Sequence, residues 1–142
     1  MNGPAEPDGW IDVGADAEGL EAARLRLVSR LVHMDPPPGR SAVYAVELVL
    51  EEFAANASRH GGARSVRVMA LDHGSSLELQ FCDDGAEFDP TSATLPTLPS
   101  GLDEAQPGGL GLVLMAHYAS AWSYEREGAW NRLHVFVDKQ VG

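Results

Sequence analysis

Two stretches of alternating apolar residues, Val66, Val68, Ala70 and then Leu77, Leu79, Phe81, flank Asp72-His73-Gly74-Ser75. No other feature constrains the fold of this chain as much. A period of two belongs to strands with one face buried, and a four-residue turn is too short for a helical crossover, so the strands must be antiparallel neighbours. Residues 121–126 and 131–137 repeat the pattern around Glu127-Gly128, which predicts a second hairpin. Helical spacing dominates before the first hairpin. Asp16 can cap a helix carrying Leu20, Ala23, Leu27 and Leu31, which Pro36-Pro37-Pro38-Gly39 stops. Ser41 can cap a second helix running to about His60, with Val46, Val49, Phe53 and Ala57 on one flank and Gly61-Gly62 as its terminator. Residues 10–13 read as a short edge strand, and residues 110–118 as a helix opened by Gly108-Gly109. Two hairpins separated by a helix and preceded by two more cannot form the parallel sheet of a doubly wound fold. The expected class is α+β, a two-layer sandwich with a mostly antiparallel sheet and helices on one face.

A chain of 142 residues is long enough for one substantial core, so residues 1–142 are read as a single domain with residues 1–9 flexible. The formal net charge of -11 argues against direct nucleic-acid binding, which clustered Lys and Arg drive. No apolar run approaches the roughly 20 residues of a membrane span, and the polar start lacks a signal-peptide pattern, so the expected location is cytoplasmic. Cys82 is the only cysteine, which excludes an intrachain disulfide and a zinc site of paired thiolates.

Three segments carry groups with chemical potential. In Glu52-Phe53-Ala54-Ala55-Asn56-Ala57-Ser58-Arg59, helical spacing sets Glu52, Asn56 and Arg59 on one side of the second helix, beside the apolar flank. A carboxamide oxygen can ligate Mg²⁺, a carboxylate can orient or deprotonate an attacking hydroxyl, and a guanidinium can meet phosphate charge. The same spacing also suits a solvated face with a local ion pair. Asp83-Asp84-Gly85 follows the strand ending at Phe81; a carboxylate there can accept the exocyclic amino proton of adenine, or the segment is an ordinary acidic turn. Gly108-Gly109-Leu110-Gly111 opens a helix, where exposed backbone N–H groups can receive phosphate or the glycines can serve as a hinge.

Taken in this order, the three segments resemble the N, G1 and G2 boxes of the GHKL ATPase superfamily, whose nucleotide-binding architecture is the Bergerat fold. The chain is most similar to the stand-alone anti-sigma-factor serine/threonine kinases, over nearly its whole length. The resemblance implies ATP and Mg²⁺ as cofactors, with Glu52 as the catalytic base or water-orienting residue, Asn56 as the magnesium ligand and Arg59 as a phosphate contact. It also implies that Asp83 reads adenine, that Gly85, Gly109, Leu110 and Gly111 shape the pocket, and that residues 90–107 form an ATP lid. The partners it implies are a small STAS-type anti-sigma-factor antagonist, phosphorylated on Ser or Thr, and a sigma factor; it leaves room for a homodimer. A detached histidine-kinase catalytic domain and a non-catalytic binding module are the competing readings. One departure from the pattern stands out: no Lys or Arg occurs between Arg67 and Arg126, so the basic residue that relatives often carry near the second glycine box is missing.

Overall fold

In the computed structural model, residues 9–14, 16–91 and 117–140 are described. The elements run β1 (Ile11–Asp12), α1 (Ala17–Val32), α2 (Arg40–Gly61), β2 (Val66–Asp72), β3 (Ser76–Asp83), β4 (Ala121–Glu127) and β5 (Trp130–Asp138). The five strands form one sheet in the order β1-β2-β3-β5-β4, every neighbouring pair antiparallel. Of the expected helix over residues 110–118, only residues 117 and 118 are described, and they are helical. Among the described residues no helix is long and apolar enough to cross a membrane.

Asp16 caps α1 as expected, its Oδ1 accepting from the Gly19 N–H at 2.7 Å. The start of α2 differs from the sequence expectation. Gly39, not Ser41, is the N-cap, without a side-chain hydrogen bond, and the helix begins at Arg40. The reason is tertiary: Gly39 donates its N–H to the Lys139 carbonyl at 2.8 Å, and that contact sets where the helix can begin. Gly62 ends α2 in the left-handed region at φ 62°, which a glycine adopts without a Cβ penalty.

Both helices pack on one side of the sheet. Ala23, Leu27 and Leu31 of α1 and Val46, Val49, Leu50 and Phe53 of α2 meet Val68, Leu77, Leu79, Phe81, Leu133, Val135 and Val137 in one buried cluster. The other side of the sheet departs from a simple buried and solvated alternation. Met69, Glu78 and Cys82 point away from the helices yet are buried. Long side chains supply the cover. The Arg67 guanidinium lies 5.6 Å from the Trp130 ring centroid, and Glu78 receives His73 Nε2, His134 Nδ1 and Gln80 Nε2 at 2.8, 2.8 and 3.0 Å. Burial pushes the Cys82 thiol up to about 11, consistent with an inert reduced cysteine.

Lys139 closes the end of the molecule where the two helices are joined. Its ammonium, 1% exposed, donates to the Pro36 carbonyl and to Asp72 Oδ1, each at 2.7 Å. The Asp72 carboxyl is held down to about 2, chiefly by that lysine and by the Gly74 N–H.

Candidate functional site

The site follows from the register of β3 and β5. Asp83, the last residue of β3, is the cross-strand partner of Asn131 in β5, and both side chains point toward the helices. Asn131 Nδ2 donates to Asp83 Oδ1 at 2.9 Å, and the Gly85 N–H donates to the same oxygen at 2.8 Å. The second bond is an Asx turn, which bends the chain sharply after the strand. Among the described residues no donor reaches Asp83 Oδ2. Asp83 is 5% exposed, and burial raises its carboxyl above the ordinary range against the lowering effect of the Asn131 and Gly85 bonds.

The neighbouring acid has a different task. Asp84 Oδ1 accepts the backbone N–H groups of Arg64 and Ser65 at 2.8 and 2.9 Å and ties the α2–β2 connection to this loop. The Asp-Asp pair thus divides into one carboxylate committed to backbone and one turned to the pocket.

Asn131 holds the loop after β3 in place. Its amide also donates to the Ala86 carbonyl at 2.9 Å, and its oxygen accepts from the Phe88 N–H at 3.3 Å and from the Tyr124 hydroxyl at 2.5 Å. Arg126 Nη1 donates to the Gly85 carbonyl at 2.9 Å. Asn131, Tyr124 and Phe88 were not singled out from the sequence as site residues. The available signal was Asn131 itself, a carboxamide in the inward register that Leu133, Val135 and Val137 otherwise fill with apolar side chains.

Helix α2 supplies the facing wall. Phe53 stacks on Phe81 with centroids 4.6 Å apart, and Asn56, 8% exposed, lies on the buried stripe between Phe53 and Ala57. Asn56 therefore belongs to the inward face of α2, one step further in than a solvated polar stripe would be. Among the described residues nothing hydrogen-bonds its carboxamide. Phe53, Asn56, Ala57, Asp83, Ala86, Phe88, Pro90, Asn131 and Leu133 line one pocket.

Of the residues expected at a site, the fold brings Asn56 and Asp83 to this pocket, with Gly85 bonded to Asp83 behind it. Glu52 lies one turn before Asn56 on α2, half-buried and outside the pocket lining. The Arg59 side chain, Gly109, Leu110, Gly111 and all but the first two residues of the 90–107 lid lie outside the described residues.

Residues 13–136 match the model of the histidine kinase-like ATPase domain. The chain belongs to the histidine kinase-like ATPase family. The chain is also 38% identical over 84 residues to the serine/threonine-protein kinase BtrW of Bordetella bronchiseptica (strain ATCC BAA-588 / NCTC 13252 / RB50). The match covers 59% of this chain and 59% of that relative. The family description is that of an ATPase domain, which suggests ATP as the ligand of the chain. Apolar walls from Phe53, Ala57 and Leu133 suit the faces of a purine, and a buried carboxylate with one oxygen open suits its amino edge. The unbonded Asn56 carboxamide offers an oxygen of the kind a hard cation takes.

Proposed function

We propose that this chain binds Mg-ATP in the pocket between α2 and the strand ends of β3 and β5, and acts as a regulatory protein serine/threonine kinase of the anti-sigma-factor type. The single observation that carries the reading is the convergence of Asn56 and Asp83, both nearly buried, on one apolar pocket. Asp83 Oδ2 would accept the adenine amino proton while Asn131 and Gly85 fix Oδ1. Asn56 would ligate Mg²⁺ together with phosphate oxygens. Bound Mg-ATP would supply the transferable phosphoryl group, and transfer of this kind depends mainly on positioning and charge stabilisation. Glu52, one turn from Asn56, would orient or deprotonate the attacking hydroxyl. Arg59, Gly109, Leu110 and Gly111 are assigned to the phosphates, with residues 90–107 as the lid over them. The acceptor would be a Ser or Thr of a small STAS-type antagonist, and the unmodified partner a sigma factor. The name of the BtrW relative supports the kinase part of this assignment. A cytoplasmic location fits these partners.

Titration calorimetry with Mg-ATP tests the first step, and absence of saturable binding at millimolar nucleotide would remove the reading. Labelled phosphate should then pass to an antagonist protein and resist acid, as phosphoserine does and phosphohistidine does not. Glu52→Ala should abolish transfer while leaving nucleotide binding; unchanged transfer would sink the role given to Glu52.

A non-catalytic nucleotide-dependent binding module is the second reading. It is favoured by one observation: no Lys or Arg lies between Arg67 and Arg126, and Arg126 is bonded to Gly85 at the base side of the pocket. Binding without transfer to any antagonist would select it.

A further inference from the structure

Asn131 sits among groups whose hydrogen-bonding roles are fixed, so its amide can point only one way. The Phe88 N–H can only donate, and together with the Tyr124 hydroxyl it meets Oδ1, at 3.3 and 2.5 Å. The Ala86 and Gly85 carbonyls can only accept, and they face Nδ2 at 2.9 and 3.4 Å. A flipped carboxamide would set oxygen against two carbonyls and nitrogen against an N–H. Nδ2 is therefore held on the Asp83 side, where it donates to Oδ1 at 2.9 Å. The Gly85 N–H meets the same oxygen at 2.8 Å, and Arg126 Nη1 fixes that glycine by donating to its carbonyl at 2.9 Å. A carboxylate oxygen has two lone pairs, so Oδ1 is saturated and Oδ2 holds the acceptor capacity that Asp83 has left for a ligand. Asp83 and Asn131 are each 5% exposed, so water cannot make up for a bond left unmade there.

We propose that Asn131 is a specificity-determining residue, closing Asp83 Oδ1 so that the pocket takes a 6-aminopurine and rejects guanine. The inference rests on the reading of this pocket as a nucleotide site. A carboxylate with both oxygens open is a good guanine reader, since it can accept the N1–H and the 2-amino group together. With Oδ1 closed, guanine can give only one of these donors to Oδ2. The other is left buried beside a filled oxygen, which costs the full desolvation of that group. Adenine presents its amino group beside an unprotonated N1, so a single open oxygen serves it. Asn131 acts through Asp83 and is in that sense a positioning residue, with Tyr124 holding it from behind.

Titration calorimetry of the full chain with the magnesium complexes of ATP, GTP and ITP separates this role from plain support of the loop. Asn131→Leu keeps the side-chain volume and frees one lone pair of Oδ1. ATP affinity should fall while GTP affinity holds or rises, narrowing the ATP-to-GTP affinity ratio by about 10- to 150-fold. ITP has the N1 proton but lacks the 2-amino group, so it should gain less than GTP. Tyr124→Phe leaves Asn131 and Asp83 in the chain and removes one neutral bond from the relay, which should narrow the ratio by about 2- to 10-fold. A loop that is merely loosened weakens all three nucleotides alike, so an unchanged ATP-to-GTP ratio in either variant would overturn the inference. So would an unsubstituted chain that binds GTP as tightly as ATP. Absence of saturable binding of any of the three by the unsubstituted chain is a different failure, which removes the reading of the pocket as a nucleotide site and this inference with it.

Discussion

Replacing Asn131 by alanine removes the group that organises the loop behind the pocket. The native carboxamide is 5% exposed and holds Asp83 Oδ1, the Ala86 carbonyl, the Phe88 N–H and the Tyr124 hydroxyl at distances from 2.5 to 3.3 Å. The bond to the carboxylate is worth about 1.5–3 kcal/mol, and the neutral bonds about 1 kcal/mol each before water enters the vacated space. A net loss of about 2–4 kcal/mol follows, which lowers the melting temperature of a chain this size by roughly 6–15 °C. Nucleotide affinity should fall at least about tenfold, because Asp83 loses one of the two bonds that aim its open oxygen. Urea denaturation with calorimetric Mg-ATP titration reads both effects. Asn131→Asp separates hydrogen bonding from volume: it keeps the shape but faces Asp83 with a second carboxylate, so it should cost as much or more and push the Asp83 carboxyl higher still. A loss under about 0.5 kcal/mol in both variants, with binding unchanged, would refute the idea that Asn131 organises the loop.

The raised Asp83 carboxyl predicts opposed pH trends. The native state holds this proton where the unfolded chain has released it, so the Asp83 contribution to stability is greatest below the unfolded value of about 3.9 and is lost as pH rises through the native value. With Asp83 in the proposed adenine-reading role, ATP affinity should rise over the same interval, since the ionised form would accept the amino proton; Asp83→Asn should flatten both trends. Glu78 behaves in the opposite sense. Burial alone would raise its carboxyl, but the bonds from His134, His73 and Gln80 outweigh burial and lower it. Its stabilisation is therefore present above the unfolded value of about 4.3 and lost as pH falls through the native one, and Glu78→Ala should cost about 1–3 kcal/mol at neutral pH by chemical denaturation. Phe53→Ala should cost about 3–5 kcal/mol and open the pocket floor, while Phe53→Leu should keep the fold and weaken ATP binding in calorimetry.

The layer architecture was legible because two hairpins and two amphipathic helices leave few ways to bury their apolar faces. Asp16 at the start of α1 and Gly62 at the end of α2 were legible because local chemistry decides them. The start of α2 was not, since Gly39 takes its position from Lys139, one hundred residues away in the chain. The burial of Glu78 and Cys82 escaped the two-residue period because arginine, tryptophan and histidine side chains cover a face on which none of the described helices packs. At the pocket, Asn56 and Asp83 are read as site residues from the order of three segments that together resemble a known family; by type and spacing alone they suit a solvated helix face and an acidic turn. Asn131 is not, because its meaning lies in a β3–β5 register that only the assembled sheet creates.

The position of β5 also orders events in time. It follows β4 in the chain yet lies between β3 and β4, so among the described strands β4 has none to pair with until β5 has arrived. A ribosome that has released residues 121–127 has released an edge without a sheet, and the pocket at that moment lacks both Leu133 and the amide that aims Asp83. Synthesis at roughly 5–20 residues per second makes the interval to the end of β5 at Asp138 about 0.5–2 seconds. β5 then joins sheet, core and pocket in one event, so the proposed nucleotide pocket cannot form before β5 has been made.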